Sequence, residues 1–459
     1  MDHATIQPTR KGRFWDCGDW HAQYEKKLAT MEEAVHAVRD GDFIAVPGGG
    51  TFPQGFDAAL AAYVREYRYH VGVIVPFQMT IPHVLQEDCR ENVSFYSFFF
   101  GAERACYQKP GSNLQFIPIH LSQTGPCVQA RHPRVVVMAC SPPDEHGWMS
   151  RSVWGTHVHR DNFESPDCEV VIVEVNRNLP HVESDGEKHT MIHVSEADYL
   201  VENNYTWPEI KARPSTEVER GIAGFAADLI EDGACLQLGF GGLADAVGQN
   251  LVYAGKKDLG LQTEVLSNCI AELMQKGVIN NSRKQTCRGR SVAGAVVGDR
   301  ALWEFCDHNP DICMKEIDWV NSPVNVARNH NVVSINNAME IDLSGQVAAE
   351  AIGLLQYSGT GGQLDWVLGS QMSPGGKSII AISSTYKGKD GQLHSKIKPA
   401  LPLGSIVTTP RTCVQYVITE YGVADLKYRS VLERAKALIA IAHPDFRGEL
   451  FREMNKLLF

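Results

Sequence analysis

The chain has 459 residues, of which 44% are hydrophobic and 21% are charged, and its formal net charge is -11. This length exceeds what one hydrophobic core usually serves, so we expect two domains. Lys and Arg are scattered along the chain, which argues against a nucleic-acid partner because phosphate binding needs a clustered basic face. No run approaches the ~18 apolar residues of a membrane span, and the opening segment lacks the apolar stretch of a secretory signal. We therefore expect a cytoplasmic protein with no membrane partner.

The cysteines indicate buried thiols rather than a metal site. Twelve of them are spread from Cys17 to Cys413, and most lie inside apolar runs. There is no C-x-x-C pair, which is the usual spacing of structural zinc ligands, so we expect no structural zinc.

The first half begins with a unit of helix, strand and glycine loop. Thr30 and Glu33 form a capping-box pattern, and the apolar residues that follow lie on one helical face as far as Asp40-Gly41. The strand FIAV then leads into Gly48-Gly49-Gly50. Such units are typical of parallel α/β sheets, in which ligands gather at the carboxyl ends of the strands.

The second half repeats this unit. Thr216 and Glu219 form another capping box, the helix runs towards Asp232-Gly233, and the strand CLQL leads into a glycine loop at 239–242. Further buried strands are predicted at 134–139, 169–175, 332–335 and 378–383. The fold class is therefore α/β, with two related open-sheet domains. A proline-containing, weakly apolar stretch before residue 214 predicts domains at 1–214 and 215–459.

The glycine loop of the second half is open to a different interpretation. Gly239-x-Gly241-x-x-Ala244 after a strand also fits the dinucleotide-binding fingerprint, and Glu264 lies about where a ribose-binding acid would. An NAD-dependent oxidoreductase is therefore an alternative. Two features count against it: the loop is echoed in both halves, and a dinucleotide fold does not call for the further glycine loop at 359–362.

Many ordered motifs resemble the acetyl-CoA hydrolase/transferase family over nearly the whole chain, close to its 4-hydroxybutyrate CoA-transferase branch. In the first half these are SPPDEHG from 141, EVNRNLP from 174 and IHVS from 192. In the second half they are LQLGFGGLADAV, TEVLSN, KGVI, SINNAMEIDLSGQV, SGTGGQLDW, VTTPR, VITEYGVADL and IAHPDFR. The resemblance implies the two-domain CoA-transferase fold and a homo-oligomer. The chain is also similar to itaconate CoA-transferases, although no single motif carries that similarity.

The resemblance assigns the nucleophile to Glu264. Similar enzymes use the glutamate of a Thr-Glu-x-x-Ser-Asp-Gly motif, and this chain has Asn268-Cys269 in place of Asp-Gly. We expect this departure to alter how the turn behind the glutamate holds its side chain, and to leave the chemistry unchanged. A carboxylate can attack a thioester and carry CoA as a glutamyl thioester between two acids.

The remaining site residues are also implied by the resemblance. For CoA and for the developing oxyanion, the candidates are Gly241, Gly242, Leu243, Ala244, Asp245, Gly361, Gly362 and, more loosely, Lys377. The loop at 48–54 is the candidate acyl pocket, through Gly49, Gly50, Pro53 and Gln54. A plain helix-entry turn is an equal alternative for this loop.

The function implied is an acyl-CoA:carboxylate CoA-transferase whose partners are acyl-CoA and small carboxylic acids. Acetate, butyrate, 4-hydroxybutyrate, succinate and itaconate all suit the chemistry, and Lys396 and Lys398 in the stretch SKIKP suggest a dicarboxylate among them. CoA is then a substrate, with no permanently bound cofactor and no metal. An acyl-CoA hydrolase using the same glutamate, or a non-catalytic ligand sensor, are the alternatives.

Two histidine pairs invite a metal-site interpretation, His157 with His159 and His189 with His193. The second pair has helical spacing, but its neighbours Ile192 and Val194 favour a strand, and no glutamate stands between the histidines as a metallopeptidase helix requires. We expect His193 to be a hydrogen-bonded structural residue.

Overall fold

The computed structural model describes residues 18–211 and 213–458. It forms two compact units: Met1–Glu209 with Gly294–Asp318, and Ile210–Ala293 with Trp319–Phe459. The first crossing lies close to the predicted boundary at 214. The segment 294–318, however, was assigned from sequence to the second domain and belongs to the first unit. The chain enters and leaves this segment without a proline-rich or polar linker. Its composition therefore does not show that the segment belongs to the first unit.

The helices and strands are numbered in chain order. The α-helices are α1 (Trp20–Lys27), α2 (Met31–Val35), α3 (Gln54–Tyr67), α4 (Arg104–Tyr107), α5 (Thr124–Gln129), α6 (Arg160–Glu164), α7 (Glu217–Asp228), α8 (Gly242–Tyr253), α9 (Asn268–Gln275), α10 (Arg300–Cys306), α11 (Ile317–Asn321), α12 (Pro323–Val326), α13 (Gln363–Met372), α14 (Val431–Ala440) and α15 (Pro444–Leu458). The strands up to the second unit are β1 (Phe43–Ala45), β2 (Val71–Ile74), β3 (Val93–Ser97), β4 (Leu114–Phe116), β5 (Val135–Cys140), β6 (Trp148–Ser150), β7 (Val170–Val175), β8 (Met191–His193) and β9 (Tyr199–Glu202).

The remaining strands follow in the second half of the chain. They are β10 (Cys235–Leu238), β11 (Gly260–Leu266), β12 (Ser291–Val296), β13 (Ile312–Met314), β14 (Val332–Asn337), β15 (Glu340–Asp342), β16 (Val347–Ala348), β17 (Ala351–Ile352), β18 (Leu355–Gln356), β19 (Lys377–Ala381), β20 (Thr385–Lys387), β21 (Leu393–Ser395), β22 (Ile397–Lys398), β23 (Tyr416–Thr419) and β24 (Gly422–Asp425).

The first unit is built on a parallel sheet in the order β4-β3-β2-β1-β5-β7-β9. Its interior strand β5, VVVMAC, is buried along its whole length. Continuous burial on both faces explains the unbroken apolar sequence, because helices cover both sides of such sheets. The loops that follow β1, β2, β5 and β7 therefore meet at the carboxyl edge of this sheet.

The second unit repeats this plan with a sheet in the order β12-β11-β10-β14-β19-β23-β24. The pairs from β11 to β23 whose registers are defined are parallel, and β24 returns antiparallel to β23 as a hairpin. The carboxyl ends of β10, β11 and β14 thus lie side by side at one edge. This is the α/β fold with two related sheets that the sequence predicts.

The local predictions are largely confirmed. Both capping boxes form, Thr30 with Glu33 and Thr216 with Glu219. The helix after Thr30 is shorter than predicted and ends at Val35, after which tight turns lead to β1. All four further strands predicted from apolar runs are present, as β5, β7, β14 and β19. Among the described residues, none of the helices combines the length and apolar content needed to cross a bilayer.

Candidate active site

Glu264 lies near the carboxyl end of β11, where the strand passes the end of β10. The residue before it, Thr263, is fully buried and donates a hydrogen bond from its hydroxyl to the Leu238 carbonyl, at 2.9 Å. This bond ties the backbone next to Glu264 to Leu238, the last residue of β10. The Glu264 side chain is only partly exposed, so a short, well-anchored strand end presents a carboxylate in a largely enclosed place.

Two elements of the second unit surround the carboxylate. The Asn321 amide donates a hydrogen bond to Glu264 Oε2 at 2.9 Å. Gly362, at the start of α13, faces the same oxygen: a Cβ added there would lie 2.3 Å from Glu264 Oε2 and 2.1 Å from Asn321 Nδ2. Since real Cβ atoms do not approach that closely, any side chain at position 362 would have to displace Glu264 or Asn321. The sequence points to Gly362, but it gives no signal for Asn321.

Burial raises the pKa of Glu264 from its ordinary value of 4.5 to about 7. The hydrogen bond from Asn321 opposes this rise, the negative charge of Asp365 adds to it, and the N–H groups of Trp366 and Gly362 lower it again. A carboxyl group that titrates near neutral pH is a better nucleophile than an ordinary one, and a shift of this size is typical of functional sites.

The glycine loop before α13 is held by a buried carboxylate. Glu350 accepts hydrogen bonds from the hydroxyls of Thr360 (2.8 Å) and Thr408 (3.0 Å) and from the Gln356 amide (3.2 Å). Gly361 has φ 65°, in the left-handed region that favours glycine. Glu350 thus positions the loop that presents Gly362. Sequence reasoning missed Glu350 because no spacing pattern links it to the loop.

The predicted CoA-binding residues at 241–245 lie where α8 begins. Gly241 precedes the helix with φ 106°, and a Cβ on Gly242 would lie 2.8 Å from Glu219 Oε2. Leu243 and Ala244 are buried, and Asp245 is partly exposed. The first N–H groups of a helix have no partner within it and attract anions, so this helix start is suited to a phosphate or an oxyanion.

A cavity of about 350 Å³ lies beside α8 and α9. Asp245, Asn268 and Cys269 are among its lining residues. The Cys269 sulfur occupies the space next to Gly248, where a Cβ would come within 2.3 Å of it, and lies 3.4 Å from the Ala244 carbonyl. Burial raises the pKa of Cys269 to about 12. Cys269, one of the two residues that depart from the family motif, therefore packs α9 against α8, and its thiol stays protonated.

Comparisons with known proteins show the family of this chain. The acetyl-CoA hydrolase/transferase N-terminal domain matches residues 13–208, and the corresponding C-terminal domain matches residues 298–454. The chain is 43% identical to a 4-hydroxybutyrate coenzyme A transferase of Clostridium kluyveri, over 95% of this chain and 99% of that protein. The chain belongs to the acetyl-CoA hydrolase/transferase family. It is an enzyme of the CoA-transferase class.

Two further relatives of this CoA-transferase support the assignment. A succinyl-CoA:cyclohexane-1-carboxylate CoA transferase of Geobacter metallireducens is 39% identical over 95% of this chain and 98% of its own length. The crystal structure of RipA from Yersinia pestis superposes with a TM-score of 0.85 at 34% identity, covering 96% of this chain and 99% of that one. The likeness in fold therefore extends over nearly the whole length of the transferase.

Lys377 is not brought to the site of the transferase. It is the first residue of β19, at the amino end of a parallel strand, whereas Glu264 lies near the carboxyl ends. Its ammonium group binds the Leu229 carbonyl and Glu231 Oε1, both at 2.9 Å. The expectation that Lys377 lies near the other CoA-binding candidates is corrected here, because its strand register places it at the opposite edge of the sheet.

The predicted acyl-pocket loop of the transferase is tightly packed against its own unit. Gly49 has φ 53°, and a Cβ there would lie 2.4 Å from the Trp154 ring; a Cβ on Gly50 would lie 2.9 Å from Val153. Pro53 is buried and precedes α3, whose first residue, Gln54, is partly exposed. Packing alone is enough to explain the glycines, which is what a helix-entry turn would require. Of the four predicted acyl-pocket residues, only Gln54 has exposed side-chain surface.

The paired histidines of the transferase are structural. His193 ends strand β8, as its apolar neighbours predict, and its ring binds the Ser195 hydroxyl at 2.8 Å and the His146 carbonyl at 3.0 Å. The His189 ring binds Asp185 at 2.7 Å. Burial lowers the pKa of His157 to about 4, and the His159 ring lies 2.6 Å from Glu316. His159, His189 and His193 are thus held by neighbouring protein groups, and His157 is enclosed by burial.

Proposed function

We propose that this enzyme transfers CoA between small carboxylic acids through a thioester on Glu264. The observation that carries the proposal is the position of the Glu264 carboxylate, with its pKa near 7, between the Asn321 amide and Gly362. In this proposal a Glu264 oxygen attacks the acyl-CoA carbonyl, and the CoA thiolate leaves. The product is an acyl-glutamyl anhydride.

The second half of the transfer returns the thiolate to the enzyme. The thiolate attacks the Glu264 carbonyl carbon of the anhydride, the first acid leaves as its carboxylate, and Glu264 then carries CoA as a thioester. A second acid reverses both steps and regenerates the Glu264 carboxylate. No proton or redox partner is needed, because each step exchanges one thiolate or carboxylate for another.

The neighbours of Glu264 suit this chemistry. When Glu264 is acylated, attack on its carbonyl carbon places negative charge on one of its own oxygens. The Asn321 amide and the N–H of Gly362 are donors next to these oxygens, and loss of one such donor typically costs about 10²-fold or more in rate. We assign to Asn321 and Gly362 the role of oxyanion donors, and to the start of α8 at Gly241 the binding of CoA.

For the acid partners, the proposal rests on the class of the relatives and on the cations of the SKIKP stretch. Lys398 of the SKIKP stretch is paired with Glu340 at 3.4 Å, whereas Lys396 donates to the Ser383 hydroxyl at 2.8 Å and is half-buried. Lys396 is therefore the cation that we propose for a second carboxylate, as in succinate or itaconate. If Lys396→Met leaves the ratio of succinyl-CoA to butyryl-CoA turnover unchanged, this assignment is wrong.

The test of the proposed function is CoA transfer with and without an acceptor acid. The purified enzyme is given butyryl-CoA or succinyl-CoA, with acetate or 4-hydroxybutyrate as acceptor, and both CoA esters and free CoA are quantified. We expect a new CoA ester to form and the rate to depend on the acceptor. Release of free CoA at a rate that no acid changes would establish a hydrolase, and NADH-dependent fluorescence changes would favour the oxidoreductase alternative.

We further propose that the enzyme acts in the cytoplasm as a homo-oligomer. In support of the location, the cysteines of the described residues are free thiols and most are buried, as expected in a reducing compartment. Sedimentation velocity of the full chain measures the assembly state, and a single species of 50.7 kDa at micromolar concentration would contradict the oligomer.

A further inference from the structure

We propose that His181, Glu183 and His308 form a binding site for a divalent transition metal in the first unit. One atom from each side chain can be chosen so that all three lie within 4.8 Å of one another. Two imidazoles with one carboxylate suit zinc, cobalt or nickel rather than magnesium or calcium, which prefer oxygen ligands. The CoA-transfer chemistry does not use these residues.

The three ligands come from two segments that the backbone already joins. The His181 N–H donates to Asp307 Oδ1 at 2.7 Å, and the His308 N–H donates to the His181 carbonyl at 2.8 Å. The Met314 N–H donates to the Glu183 carbonyl at 2.8 Å. Since His181 and Glu183 are two residues apart in an extended segment, their side chains lie on the same face. The fold therefore brings the donors together before any metal binds.

His181 is the fixed ligand of the site. It is buried, and its Nδ1 lies 3.2 Å from the Ser141 hydroxyl, which also receives the Ser150 N–H at 3.1 Å and lies 3.2 Å from the Pro142 carbonyl. With the hydroxyl proton directed to Pro142, the ring donates from Nδ1 to Ser141. The lone pair of Nε2 is then left for a metal. This is the arrangement in which a second group orients a ligating histidine.

His308 and Glu183 are the adjustable ligands. The His308 ring is parallel to that of His181, with centroids 4.6 Å apart, and its Nδ1 lies 3.9 Å from Glu183 Oε1. Zinc bonds of ~2.0 Å place the ligands of one ion roughly 3.3 Å apart, so the side chains must close by about 1 Å. The His308 and Glu183 side chains are 63% and 30% exposed and are free to turn.

The backbone conformation of His308 is a further feature of this cluster. His308 has φ 48°, an uncommon backbone conformation for a residue other than glycine. Such conformations persist where the surroundings hold them and cluster at functional sites. The hydrogen bond from the His308 N–H to the His181 carbonyl holds the backbone of His308 in this conformation.

A metal here would cross-link residues 181–183 to residue 308 and so stabilise the first unit. Three protein ligands also leave a coordination position open for water or a small anion. Sequence spacing could not reveal the site, because His308 is remote in sequence from the other two ligands.

The test is a titration of the full-length protein, stripped of metal with EDTA, with Co²⁺ followed by Zn²⁺. We expect one equivalent of Co²⁺ to give visible absorption between about 500 and 700 nm, one equivalent of Zn²⁺ to abolish it, and Zn²⁺ to raise the Tm by a few degrees. His308→Ala and Glu183→Gln should each weaken binding by about 10-fold or more, and Ser141→Ala by about 10-fold.

His330→Ala is the matched control, because His330 is exposed in the second unit and lies outside the cluster. It should bind Co²⁺ like the unaltered protein. Absence of the absorption band would overturn the site. Binding that survives both His308→Ala and Glu183→Gln would also overturn it and would identify the metal as adventitious. Both altered side chains are partly or largely exposed, so the variants are expected to fold.

Discussion

Two glycine loops, at 48–50 in the first unit and at 359–362 in the second, use their glycines differently. In the first unit, the missing Cβ atoms of Gly48 and Gly49 make room for the Pro76 carbonyl and the Trp154 ring. In the second unit, the missing Cβ of Gly362 makes room for the Glu264 carboxylate and the Asn321 amide. In the first loop the space left by the glycines is therefore occupied by structural residues, whereas in the second it is occupied by the polar groups of the candidate site. A glycine pattern alone does not distinguish packing from chemistry.

Among the glycine substitutions, the largest effect on this contrast is expected from Gly362→Ala. The backbone at Gly362 has φ -97°, which alanine tolerates, so the change acts through the added methyl group. It must displace Glu264 or Asn321, and we expect CoA transfer to fall by about 10²-fold or more. Initial rates measure this loss. Gly224→Ala, in α7 with open space around it, is the control. Equal activity of both variants would remove the special role of Gly362.

Gly49→Ala should act on stability instead. The residue combines φ 53° with a Cβ position 2.4 Å from the Trp154 ring. Left-handed strain and overpacking together should cost about 2–4 kcal/mol of unfolding free energy. The midpoint of urea denaturation measures this cost, again with Gly224→Ala as control. An unchanged midpoint would mean that the loop is not held as tightly as its contacts indicate.

Glu264→Gln should make the protein more stable while abolishing transfer. The folded pKa of about 7 lies above the ordinary 4.5, so the carboxyl group lowers stability progressively as the pH rises from about 4.5 to 7. Because Glu264 keeps some exposure, we expect a gain of about 1–3 kcal/mol at pH 8 and almost none near pH 4.5. Denaturation at the two pH values checks this. A gain of the same size at both would contradict the raised pKa.

The smallest effect expected is a shift in pH dependence in Asn321→Ala, which accompanies the rate loss of about 10²-fold that follows from removing an oxyanion donor. Its hydrogen bond lowers the pKa of Glu264, so removing it should move the midpoint of glutamyl-thioester formation upward from about 7. Since the carboxylate is the nucleophile, the rate rises with pH, and the variant should be most impaired below pH 7. Single-turnover rates from pH 5.5 to 9 measure this. Asn280→Ala, at an exposed asparagine, should leave the profile unchanged.

The sequence predicts the scaffold better than the site. Capping boxes and buried strands are local patterns, and both pairs of Thr and Glu residues form the predicted boxes. Glu264 and Gly362 were identified through the family motifs. Asn321 and Glu350 lie in no pattern that links them to the site, and Asn321 is 57 residues from Glu264 along the chain. The prediction that Lys377 lies near the CoA-binding residues is wrong for a related reason. A motif does not show at which end of a strand a residue lies, and Lys377 lies at the amino end of β19.

The central claim is that Glu264 itself carries the CoA group. The most direct measurement is peptide mass spectrometry of the enzyme after incubation with an acyl-CoA and no acceptor acid, with and without borohydride reduction. We predict CoA, or the reduced residue, on the peptide that contains Glu264, and no such product from Glu264→Gln. An unmodified Glu264 peptide with butyryl-CoA, succinyl-CoA and acetyl-CoA alike would contradict covalent transfer through this residue.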